Sequence, residues 1–146
     1  VHFTLRLPDG RDLQDEATQI LAADAMGFVK LMAYTVPDNV LICGHYREEG
    51  WSEFLADAGY STFESLAFNV QQGPGVFCRL QTAQGIINLR TTHLRVYSDN
   101  GDPMAAAIWD NKHGILCAHC CDDDWPAFCK SHKIQTPRAL TVVELN

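Results

Sequence analysis

Residues 15–34, DEATQILAADAMGFVKLMAY, decide how the chain is read. Apolar side chains at Ala17, Ile20, Leu21, Ala25, Phe28, Leu31 and Met32 recur at intervals of three and four, the spacing of one helix face. Asp15 stands where an N-cap belongs, and Glu16 suits the positive end of a helix dipole. The spacing predicts an amphipathic helix from about Asp15 to Tyr34. Gly27 weakens its middle by about 1 kcal/mol relative to alanine, and Pro37-Asp38-Asn39 ends it.

Outward from this segment the pattern changes. Phe3, Leu5 and Leu7 alternate with polar residues, as in a strand with one buried face, and Pro8-Asp9-Gly10 then turns the chain. Val40-Leu41-Ile42-Cys43 suits a short buried strand. Trp51, Phe54, Leu55 and Ala58 predict a short helix closed by Gly59. Ser61-Thr62-Phe63-Glu64 matches a capping box and starts a further helix to about Asn69. Beyond Gly73-Pro74-Gly75, Val76, Cys78 and Leu80 alternate with polar partners, and Ile87, Leu89, Leu94 and Val96 extend that β pattern. Met104 to Trp109 and Ile115 to His119 are expected to pair as a hairpin across Asn111-Lys112-His113-Gly114. A short helix follows Asp124 with Pro126 in its first turn, and Leu140 to Leu145 forms a last strand.

The expected fold class is therefore α+β. One domain spans 1–146, with helices mainly in the first half (about 1–75), an antiparallel sheet in the second (about 76–146) and a small C-terminal zinc-binding element. Neither an internal repeat nor a dividing linker is read from the chain.

The chain has 146 residues, 18 acidic against 11 basic, for a formal charge of −7. That balance makes general nucleic-acid binding unlikely, since phosphates need Lys and Arg to neutralise them. The acidic excess lies wholly in the first half and reads as a solvated face, or as a docking surface for a basic protein partner. No apolar run reaches the ~20 residues of a membrane span. The first residues lack the basic and apolar regions of a secretory leader, so an intracellular, cytoplasmic protein is expected.

Six cysteines are too few for a disulfide scaffold and point to a reduced protein. Four of them crowd with histidines between Cys117 and His132. Cys117-x2-Cys120 followed by Cys129-x2-His132 suits tetrahedral zinc, with His119 and Cys121 as substitute ligands. Four protein ligands would make that zinc structural, and the domain a non-catalytic protein-interaction or regulatory module. Packing cysteines and a redox-labile Cys120–Cys121 pair are the competing readings. Asp122, Asp123 and Asp124 suit helix capping better than metal.

Two further chemistries are open. Cys43 could act as the nucleophile of a cysteine-dependent hydrolase if the fold supplied His93 or His113 as base. Arg79, Arg90, His93 and Arg95, with Phe77, could share a sheet face for an anionic ligand or a nucleic acid.

Overall fold

The computed structural model describes residues 1–37, 40–60 and 73–134. Ten strands and two short helices follow in order: β1 (His2–Arg6), β2 (Asp12–Glu16), β3 (Gln19–Ala23), β4 (Val29–Val36), β5 (Val40–His45), α1 (Trp51–Asp57), β6 (Val76–Thr82), β7 (Gly85–Thr91), β8 (His93–Tyr97), β9 (Pro103–Asp110), β10 (Gly114–His119) and α2 (Trp125–Ser131). They form two five-stranded antiparallel sheets, β10-β9-β8-β1-β2 and β5-β4-β3-β6-β7. The expected α+β division, with a helical first half, is overturned, because both halves are predominantly strand.

The segment that reads as a long helix is β3 and β4. Both strands lie inside a sheet whose two faces are covered. Ile20, Ala22, Leu31 and Ala33 point to the core between the sheets. Leu21, Val29 and Met32 point outward and are covered by Trp51 and Leu55 of α1. A strand buried on both faces loses the alternation that identifies it and reads as a continuous apolar run. The break lies at Asp24. Its carboxylate accepts the backbone N–H groups of Met26 and Phe28, both at 3.0 Å, and Gly27 takes φ 87°. The glycine that weakens a helix is the residue this left-handed turn position favours.

The structure also corrects the absence of a repeat. Gln19–Ala23 recurs as His93–Tyr97, Val29–Val36 as Pro103–Asp110, Val40–His45 as Gly114–His119 and Trp51–Asp57 as Trp125–Ser131, at one constant offset. Gly27 and Gly101 occupy equivalent turns at φ 87° and 84°. Gly59 and Lys133 end the two helices with positive φ, and Tyr60 N–H and Ile134 N–H close the same turn on the carbonyls of Leu55 and Cys129. Few side chains survive the repeat. The clearest shared pattern is Cys-x-His-x-x-acid-x-x-Trp-x-x-Phe, at Cys43 to Phe54 and again at Cys117 to Phe128.

The halves are interlocked. Each contributes three strands to one sheet and lends its first hairpin to the other. β1 pairs with β8, and β6 pairs with β3. The chain crosses between sheets at Ala17-Thr18 and again at Thr91-Thr92. Thr18 N–H donates to the Gln81 carbonyl at one crossing, and Thr92 N–H to the Arg6 carbonyl at the other, at 2.8 and 2.7 Å. Phe3, Leu5, Leu80, Leu94 and Val96 join Ile20 and Leu31 in the shared core. On the second sheet's outer face, α2 brings Trp125 against Ala106, Ile108 and Ala118.

The expected β9–β10 hairpin and both tryptophan-led helices are present. The helix from Ser61 and the strand from Leu140 lie outside the described residues. Ile20 and Leu94 are repeat counterparts, both fully buried. Replacing either by alanine is expected to cost about 2–5 kcal/mol in urea unfolding. Similar losses at both sites would reflect equivalent places in one core.

Candidate metal centre

The strand pattern carries two histidines to one place. In β5 and β10, alternation turns Cys43 and Cys117 toward the inter-sheet core, and His45 and His119 follow on the same face two residues later. β5 and β10 are edge strands of the two sheets and approach each other across the sandwich. The two rings therefore meet edge to face, with centroids 5.0 Å apart. Both histidines are buried, at 1% and 4% exposure.

Each ring is paired with an acid from the other half. His45 Nε2 lies 2.7 Å from Asp122 Oδ2, and His119 Nε2 lies 2.7 Å from Glu48 Oε1. The carboxylates are held in place by their own halves. Glu48 Oε1 accepts the His45 N–H at 2.8 Å, and Asp122 Oδ2 accepts the His119 N–H at 3.0 Å. One repeated turn thus both fixes an acid and offers it to the opposite histidine. Burial lowers the His45 pKa from its ordinary value, and His119 adds to this, while Asp122 and Glu48 oppose it.

Among the described residues, two overlapping groups have the ligand types and proximity of a metal site. His45, Glu48 and His119 place their ligand atoms within 4.8 Å of one another, and so do His119, Cys120 and Cys121. The second group shows that the His/Cys run found in the sequence could hold a metal. It joins the two substitute ligands, His119 and Cys121, to Cys120, one of the four first chosen. Cys117 lies in the inter-sheet core, whereas Cys129, on α2, packs on the opposite face of that sheet. His132 follows α2, with its ring 4.5 Å from Phe128. Of Cys117, Cys120, Cys129 and His132, only Cys120 belongs to either group.

The arginine set is divided. Arg79 and Arg90 lie on the outer face of the β3–β4 sheet, where Arg90 stands opposite Phe77. His93 and Arg95 lie on the outer face of the other sheet, opposite Arg6 and Thr4. The core separates the two pairs. Arg79 Nε donates to Asn88 Oδ1 at 3.3 Å. His93 is held below its ordinary pKa first by burial, then by Arg95, Arg6 and His132, with Asp12 opposing.

Cys43 does not have the surroundings of a nucleophile. Burial, with Cys120, Cys121 and Glu48 nearby, pushes its thiol up to about 12, whereas an active thiol needs the reverse shift. His93 faces out of the other sheet, and His113 sits exposed beside Asp110 in the β9–β10 turn. The missed site residues are His45, Glu48 and Asp122. Only the repeated His-x-x-acid spacing could have signalled them. No helix among the described residues is long and apolar enough to cross a membrane.

Two outcomes check this arrangement. Cys120 and Cys121 are exposed, while Cys78 and Cys117 are buried. A thiol reagent added to native protein should label the exposed pair first and reach Cys78 and Cys117 only on unfolding. His93 supplies a pH test. Its folded pKa lies below the unfolded value near 6.5, so below that pH the unfolded state takes up a proton first. Stability should fall as the pH drops through this window, and His93→Gln should reduce the slope of urea midpoint against pH. Comparison of the chain with family models, curated proteins and solved structures finds no match, so the chemistry of this centre rests on its own geometry.

Proposed function

We propose that this chain is a non-catalytic regulatory domain that holds one zinc ion where its two halves meet. His45, Glu48 and His119 are the central ligands, and Asp122 completes the set. The carrying observation is that ligand atoms of His45, Glu48 and His119, from both halves, lie within 4.8 Å of one another, with Asp122 2.7 Å from His45. Imidazole nitrogens and carboxylate oxygens are ordinary zinc donors, and four protein ligands leave no open position for substrate. The backbone N–H bonds to Glu48 and Asp122 support the reading, because oriented ligands raise metal affinity. An ion here would tie β5 to β10 and stabilise the folded state over the unfolded one.

Metal analysis of untagged, reduced protein tests the proposal. About one zinc per chain is expected, with a lower thermal midpoint after chelation, and less than ~0.2 per chain would refute it. Glu48→Gln keeps the shape of the side chain and should lower zinc affinity by about 10–100-fold. Unchanged zinc affinity in that variant would remove Glu48 from the ligand set.

A further inference from the structure

The two halves differ beside the shared histidines. The first half carries Tyr46-Arg47 where the second carries Cys120-Cys121. Tyr46 and Arg47, both exposed, flank their side of the centre. Arg47 Nη2 donates to the Cys117 carbonyl at 2.6 Å and lies 3.9 Å from Asp122. The Tyr46 ring lies under Lys30, whose Nζ is 4.8 Å from the ring centroid. That side therefore carries two cationic side chains and offers no sulfur donor for a soft ion.

The related side carries sulfur instead. Cys120 and Cys121 are both exposed, and the buried His119 lies at their base. Cys43 is the repeat counterpart of Cys117, and both face the core between the sheets. Symmetry places these positions at the centre, and the departure from symmetry replaces a guanidinium with thiols.

We propose that Cys120, Cys121 and His119 form a second seat, one that takes a monovalent thiophilic ion of the copper(I) class. The donor set is two sulfurs and one nitrogen. Thiolates select soft ions, whereas a structural zinc seeks four ligands and accepts the carboxylates next door. Binding converts the two thiols to thiolates and releases their two protons to solvent, with no change in oxidation state. The exposed sulfurs give the ion a direct route in. The seat shares only His119 with the proposed zinc centre and otherwise stands apart from that reading.

The test uses the full chain, chelator-treated, reduced and free of oxygen. Copper(I), supplied as its acetonitrile complex, is titrated in competition with bathocuproine disulfonate. One copper(I) per chain is expected, with sulfur-to-copper charge-transfer absorption in the near ultraviolet. The double variant C120S/C121S should bind more than about 100-fold more weakly. Both positions are exposed, so far-ultraviolet circular dichroism should confirm that it folds. Cys129→Ser, on the opposite face of the sheet and in neither ligand group, should leave copper(I) affinity unchanged. Equal copper(I) binding by wild type and the double variant would overturn the proposal, whatever the zinc content. Copper(I) binding with no zinc in the wild type would refute the zinc centre and leave this seat standing.

Discussion

Neither sheet is complete without the other half of the chain. The backbone ladder from β1 to β8, and its counterpart from β6 to β3, join strands far apart in sequence. These ladders leave β10 and β5 at one edge of each sheet, with β2 and β7 at the other, and β5 and β10 meet across the core. The histidine pair follows from this pairing. Without the exchanged hairpins, His45 and His119 would end two unrelated edges.

The centre takes its character from symmetry and from where symmetry fails. The repeated turn supplies a histidine, an acid three residues later and a backbone N–H that fixes the acid. Two copies facing each other give crossed pairs, His45 with Asp122 and His119 with Glu48. Carboxylates and imidazoles buried together need such partners, since unpaired charge is costly away from water. The next two residues depart from the repeat. Arginine at 47 sets a cation on one flank, and cysteines at 120 and 121 set sulfur on the other.

Legibility in the sequence followed local physics. The hairpin from Met104 to His119 was readable because its strands are joined by a short turn ending in Gly114. The helix at Trp51 was readable because Trp51, Phe54 and Leu55 recur at helical spacing, and the helix at Trp125 because Pro126 suits the first turn after Asp124. Ile20 to Met32 misled because both faces of β3 and β4 are covered, so apolar residues appear where alternation would have exposed polar ones. The repeat was hidden because most counterparts changed character, as with Leu21 and Arg95 or Phe28 and Asp102, while the backbone turns were kept.

The amino-acid order alone determined the acidic balance, the turn chemistry at Pro8-Asp9-Gly10 and at Asn111 to Gly114, the two tryptophan-led helices and the presence near the C-terminus of a His/Cys run that could hold a metal. All of these depend on neighbours within a few residues. Tertiary structure alone decided that Cys117 and Cys129 lie on opposite faces of one sheet, that the arginines divide between opposite outer faces, and that His45 belongs with Asp122. The physical reason is strand pairing. A ladder can join any two extended segments, so partners from different halves become known only when the sheets close.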